Sequence, residues 1–189
     1  MSFDVLSFLI GQQTGKESGG GGIDTTQIDS ILDEINGEIV GELVLAQGFC
    51  GDSARYLLKD NGLLKISGSG EITSSPWENV ENYKTIIKKV VIEEGITSIM
   101  LGAFNGLDKL KEVTIPASVT RIYEYAFGGC DLLTRVVFEN TNNWKCFDST
   151  NLITPIKTFT STELKDPATA ATYLADWDNG YSRYRWIKS

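Results

Sequence analysis

Between Val90 and Leu133 one 23-residue unit occurs twice, and no other feature constrains the fold as strongly. In register, Val90, Ile92, Ile96, Ile99, Ala103, Phe104 and Leu110 fall on Val113, Ile115, Val119, Ile122, Ala126, Phe127 and Leu133, and Val136 with Phe138 opens a third copy. A unit this short cannot bury its apolar face alone, so a fixed period with matched apolar positions predicts stacked repeats. Each copy starts with a run of alternating side chains (Val90-Val91-Ile92, Val113-Thr114-Ile115, Val136-Val137-Phe138), which sends the outer two inward and the middle one outward. The fold class predicted is α+β, a short solenoid with one parallel strand per 23-residue repeat.

The solenoid needs covered ends. Ahead of the repeats, Tyr56–Lys59 and Leu63–Ile66 flank Asp60-Asn61-Gly62, a hairpin signal because Asn and Gly tolerate positive φ; this predicts an N-terminal hairpin cap. After them, residues 140–165 read as irregular. Asp166 or Pro167 starts a helix through Leu174, and Tyr181–Ile187 alternates as a last strand, together a C-terminal helix/strand cap.

Residues 1–47 have a different character. They hold eight acids against one lysine, so they carry −7 of the net −8 and leave the repeat region near neutral. Phe3, Val5, Leu6, Phe8, Leu9 and Ile10 form an apolar segment followed by a glycine-rich stretch to Gly22. Such a stretch gives reach without orientation, so the segment either docks in a groove on a larger scaffold or folds back on its own domain. Asp24 and Gln27 suit a capping box, and Ile28, Leu32, Ile35 and Ile39 have 4, 3, 4 spacing. That seam suits self-association, a trimer first, and equally an amphipathic helix packed on its own domain or a partner. The expected divisions are a docking peptide and linker (1–22), a helix and connector (23–47) and the repeat domain with its caps (48–189).

Chemistry is poorly provided for. The chain has no histidine, which removes Ser-His-Asp and Cys-His catalysis and histidine-ligated metals. Glu93-Glu94 and the Asp176/Asp178 pair read as solvated acids, and Asp60-Asn61-Gly62 and Asp178-Asn179-Gly180 as turns without the further oxygens of a calcium loop. Gly11-Gln12-Gln13-Thr14-Gly15-Lys16 has one residue too few between its glycines for a phosphate loop, and Glu17 where a hydroxyl is needed. Cys50, Cys130 and Cys146 make no even disulfide framework, and free thiols are expected. No enzyme activity and no cofactor is therefore expected. The near-neutral repeats argue against a nucleic-acid partner. The N-terminus is a poor secretion signal, and no apolar run reaches the roughly 20 residues that span a bilayer.

A binding surface remains. Val91, Thr114 and Val137 point outward in a row, flanked by Lys89, Glu112 and Arg135, whose alternating sign suits cross-strand pairing or a ligand-facing role. Tyr123 and Tyr125, in a repeat loop, are candidate exposed contacts, whereas tryptophans near the solenoid ends are expected in cap packing.

The segments Val113-Thr114-Ile115-Pro116-Ala117-Ser118-Val119-Thr120-Arg121-Ile122 and Tyr125-Ala126-Phe127-Gly128-Gly129-Cys130-Asp131-Leu132-Leu133 resemble BspA-type leucine-rich repeats of bacterial surface proteins. Cys50-Gly51-Asp52, Ile66 to Gly70 and Pro76-Trp77 look like the module preceding such arrays, and Phe138–Thr141, Trp144, Asp166–Ala171 and Tyr184-Arg185-Trp186 like their closing segments, so the resemblance spans about residues 48–189. The first copy departs in Glu93, where proline is usual, and in Leu107, where cysteine is usual. The resemblance implies binding or adhesion at a surface and no shared chemistry. Taken with the N-terminal layout, the expectation is a non-enzymatic binding protein. It docks on a capsid or tail assembly as a phage virion fibre or decoration protein, and its repeats face a cell-surface protein or glycan. The alternative is a bacterial cell-surface adhesion protein.

Overall fold

The computed structural model describes residues 43–189. The docking segment (Phe3, Val5, Leu6, Phe8, Leu9, Ile10) and the seam (Ile28, Leu32, Ile35, Ile39) lie outside the described residues.

Eleven strands form one mixed sheet curled into a solenoid-like arrangement: β1 (Val44–Phe49), β2 (Ser53–Lys59), β3 (Leu63–Ile72), β4 (Lys89–Ile92), β5 (Ile96–Ile99), β6 (Glu112–Ile115), β7 (Arg121–Ile122), β8 (Arg135–Phe138), β9 (Trp144–Phe147), β10 (Lys157–Thr158) and β11 (Arg185–Lys188). Helices are few and short among the described residues: a 3-10 turn at Pro76–Asn79, then α1 (Tyr83–Ile86), α2 (Ser161–Lys165) and α3 (Pro167–Ala175). The division drawn at residue 47 falls inside β1, which pairs antiparallel with β2.

Two parallel ladders carry the repeats. β4, β6 and β8 follow one another in register, Lys89 opposite Glu112 opposite Arg135, and Val90 opposite Val113 opposite Val136. β5 and β7 form the second ladder, Ser98 opposite Arg121 and Ile99 opposite Ile122. Each of the two full repeats therefore contributes two short strands, not the one expected. The second strand escapes the alternation test because Ser98 and Ile99 are both buried, which breaks the period of two. β3 belongs to both ladders: Leu63–Ile66 pairs with β4, and Gly70–Ile72 with β5. The switch occurs around Gly68, at φ +94°, where a Cβ would stand 2.1 Å from the Ser53 carbonyl oxygen. Only glycine fits so close an approach at that dihedral.

The hairpin forms where expected, with a different turn. Gly62 N–H donates to the Lys59 carbonyl (3.1 Å), and of the loop residues Gly62 alone has positive φ, +86°. This is a three-residue loop closed by a glycine bulge, not a two-residue primed turn. At the other end, residues 140–165 are more ordered than expected. β9 and β10 pair antiparallel there, and α2 starts on a capping box in which Thr160 and Glu163 satisfy each other's backbone N–H groups. Asp166 caps α3 by accepting from Thr169 N–H (2.7 Å), with Pro167 in the first turn. The last strand is shorter than the alternation suggested, Arg185–Lys188, and lies between β9 and β7, antiparallel to both.

The matched apolar positions of both repeats are buried, Phe104 at 1% and Phe127 at 0% exposure. Their rings stack at 5.0 Å, Phe104 stacks on Trp77 at 5.2 Å, and Tyr56 meets Trp77 edge-on at 5.8 Å. An aromatic column thus runs from the hairpin into the second repeat. A second cluster joins Phe138, Trp144, Phe159 and Trp186, with Phe159 and Trp186 stacked at 4.1 Å. Trp77, Trp144 and Trp186 are thus packed as expected, whereas Trp177 is 50% exposed.

Candidate ligand-binding face

The outward row of the first ladder is in register: Lys65 opposite Val91, Val91 opposite Thr114, and Thr114 opposite Val137. Val91, Thr114 and Val137 are half-buried beside one another on an open sheet face. Beside them Glu112 joins two cations, 3.3 Å from Lys89 Nζ and 3.5 Å from Arg135 Nε, and Lys65 pairs with Glu93 at 2.8 Å. The flanking charges therefore pair across strands. Partly exposed pairs of this kind contribute about 0.2–1 kcal/mol each. The structure brings Lys89, Val91, Glu112, Thr114, Arg135 and Val137 onto one face, while Tyr123 and Tyr125 lie elsewhere.

Those two tyrosines have partners that sequence reading did not supply. Arg185 lays its guanidinium over the Tyr123 ring at 4.6 Å and holds Glu124, its Nη2 lying 3.2 and 3.4 Å from the two carboxylate oxygens. Glu124 is 5% exposed, and a charge so deep is tolerated because an opposite one meets it there. Tyr125 packs on Trp177 at 5.2 Å with the rings tilted by 33°. Its backbone has φ +59°, and the equivalent position one repeat earlier, Gly102, has φ +65°. The alignment of a tyrosine on a glycine was a signal available in the sequence.

The reactive groups are engaged or silenced. Cys50, Cys130 and Cys146 are free and buried, and burial pushes each thiol up to about 11, so none is a thiolate nucleophile at neutral pH. Cys130 donates its S–H to the Phe104 carbonyl (3.1 Å) from the position Leu107 fills one repeat earlier. Glu94 accepts from the backbone N–H groups of Ala117 and Ser118 (2.8 and 3.1 Å), tying one repeat to the next, and its hydrogen bonding, the Ser118 side chain foremost, holds its carboxyl below the usual range. Among the described residues no group of three or more His, Cys, Asp or Glu is placed to hold a metal, and no helix is long and apolar enough to cross a membrane. Open depressions among the described residues include one of about 230 Å³ beside α3 (Cys130, Asp131, Leu133, Ala171, Thr172, Ala175, Asp176) and one of about 330 Å³ between Asp52, Ser53 and the Ser69–Thr73 stretch.

Stacked 23-residue units, inward Val and Ile at fixed places and an in-register parallel ladder define a leucine-rich-repeat protein. The family described as BspA type leucine rich repeat region (6 copies) matches residues 78–174, and the chain belongs to that family. Among solved structures it is similar to a leucine-rich repeat protein from Eubacterium ventriosum, with 27% identity and a TM-score of 0.44. That likeness covers 50% of this chain and 26% of the other, so the chain spans about a quarter of that protein's length. No curated protein matches the chain.

Proposed function

We propose that the chain is a non-enzymatic binding protein that presents its repeat domain for adhesion to a surface. The observation carrying this reading is the open face of the first ladder, where Val91, Thr114 and Val137 stand in register beside the Lys89–Glu112–Arg135 ion pairs. A regular sheet face with a half-buried β-branched row, two valines around Thr114, and a charged border resembles a protein interface, a largely apolar centre within a polar rim. The hairpin with β1 at one end, and α2, α3 and β9 to β11 at the other, serve as caps that hide the apolar ends of the stack. Retention of the full chain on cells tests the face. Val91→Asp together with Val137→Asp should lower retention about tenfold, the loss of one interface anchor, with the circular dichroism spectrum unchanged. Equal retention would remove the face from the mechanism.

The sequence before the described residues supports a second, finer reading, in which the N-terminal apolar segment docks on a capsid or tail assembly and the seam makes a trimer, as in a virion fibre or decoration protein. The bacterial cell surface is the alternative location, and the family's resemblance to surface proteins favours it. Deleting residues 2–10 separates the two accounts of the segment: docking requires a folded protein absent from its assembly, and packing on the domain requires an unfolded one.

A further inference from the structure

Trp177 is the one tryptophan left half-exposed, and the loop that carries it is tightly built. The Asp176 carboxylate accepts from Asp178 N–H (2.8 Å), Asn179 N–H (3.0 Å) and Asn179 Nδ2 (3.1 Å), while Ser182 Oγ donates to the Asp176 carbonyl (3.1 Å). An apolar ring is therefore held out in solvent by a fixed frame, not by a slack loop. Its neighbour Tyr125 adds an independent observation. Tyr125 takes the left-handed conformation that Gly102 takes one repeat earlier, at a strain cost that glycine avoids. A bulky residue kept where the repeat elsewhere uses glycine points to a use for its ring.

The surroundings say what the ring pair meets. The Trp177 indole N–H edge overlooks Gly129: a Cβ there would lie 3.8 Å from Trp177 Nε1 and 3.8 Å from the Gly106 Cα, so the two glycines make a flat floor. The 230 Å³ depression adjoins this pair in the chain on both sides, through Cys130 next to Gly129 and Asp176 next to Trp177, and it offers the Asp131 carboxylate and the Thr172 hydroxyl. Thr172 Oγ1 donates to the Ala168 carbonyl (3.2 Å), which leaves its lone pairs as acceptors.

We propose that Trp177 and Tyr125, beside the depression lined by Asp131, Thr172 and Asp176, form a subsite for a neutral hexopyranose whose hydroxyls are equatorial. A pyranose whose hydroxyls are equatorial presents C–H faces that stack on aromatic rings and a rim of hydroxyl donors that match acceptors. Asp131 and Asp176, which line the depression, disfavour an anionic sugar. The depression is smaller than a drug-sized pocket and suits one ring of a longer chain. This assignment rests on the reading of the chain as a binding protein and uses residues apart from the ladder face.

The test is titration of the full chain with cellotetraose and with chitotetraose, followed by calorimetry and tryptophan emission, with sialyllactose as the anionic control. One neutral tetrasaccharide should bind with Kd about 0.1–1 mM and protect one tryptophan from acrylamide. Trp177→Ala should weaken binding at least about tenfold, and Trp177→Phe should keep most of it. Tyr125→Gly discriminates further: relief of strain keeps Tm within about 2 °C of the wild type, while affinity falls several-fold. The subsite is overturned by no binding of either tetrasaccharide at about 10 mM, by equal binding in Trp177→Ala, by sialyllactose binding as tightly, or by a Tyr125→Gly protein that loses Tm and keeps its affinity. Absence of saccharide binding by the unaltered chain, with cell retention intact, removes this subsite and leaves the adhesion reading standing.

Discussion

Truncating the aromatic column should separate two residues that occupy the same place in the period. Phe104 and Phe127 are both buried, but Phe104 stacks on a ring at each side, Trp77 at 5.2 Å and Phe127 at 5.0 Å, whereas Phe127 stacks on Phe104 alone. Replacing a buried phenylalanine by alanine costs about 3–5 kcal/mol through lost transfer energy and the cavity left behind. Each ring pair adds about 0.5–1.5 kcal/mol. Phe104→Ala should therefore be the worse of the two by about one pair, near the upper end of the range, and Phe127→Ala near the lower. Urea unfolding of the full chain measures this. With m about 2 kcal/mol/M, the midpoints should fall by about 1.5–2.5 M. The double variant should lose less than the sum of the singles by about 0.5–1.5 kcal/mol, because the shared pair is lost only once. Midpoints within about 0.3 M of the wild type in both variants, or a larger loss for Phe127→Ala, would refute the stacked column.

Glu163 is held down to about 2, first by the Lys157 ammonium at 2.7 Å and then by the Thr160 backbone N–H. Because its folded value lies below the unfolded one, its contribution is complete above about pH 4.5 and is lost as pH falls through about 2. Glu163→Gln should thus cost about 1–2 kcal/mol at pH 7, after screening at a side chain 26% exposed, and almost nothing near pH 2; a difference that does not shrink on acidification counts against the pair. The native protein should leave all three thiols unreacted toward a disulfide reagent at pH 8 over minutes and release three after unfolding, since burial pushes each to about 11; one thiol reacting at the rate of a small free thiol would show an open site. Glu112→Lys sets three cations side by side in the first ladder and should lower stability by about 1 kcal/mol in low salt, less in high salt; no salt dependence would mean the pairs are inert.

The period was legible because its information is redundant: Val113, Ile115, Phe127 and their counterparts each repeat a constraint already stated 23 residues away. Local signals were equally clear where one residue type has one mechanical use, as at Asp166-Pro167 before α3 and at Gly62 in the hairpin. The second strand of each repeat was hidden because burial at Ser98 and Ile99 is decided by stacked neighbours and not by alternation. β9 was missed although Trp144-Lys145-Cys146-Phe147 begins with alternation, and α2 although Thr160 and Glu163 have capping-box spacing. The ladder face could be read from alternation alone. The Tyr125–Trp177 pair could not, since residues 52 apart in the chain meet only after α3 and the second repeat are folded.

The position of β11 governs the order in which the domain can be completed. β9 and β10 precede β11 in the chain, yet among the described strands they are joined to β7 in the sheet through β11, made of Arg185–Lys188. While the chain emerges from the ribosome, the β3–β5–β7 ladder can assemble by nearest-neighbour pairing and still end in an open edge at β7. β9 and β10 meanwhile wait as a detached pair. Closure of the sheet at β7 requires β11, whose Trp186 pairs with Ile122 from 64 positions earlier in the chain, a costly long-range contact. That exposed edge is where a chain lacking β11 would pair with another copy instead.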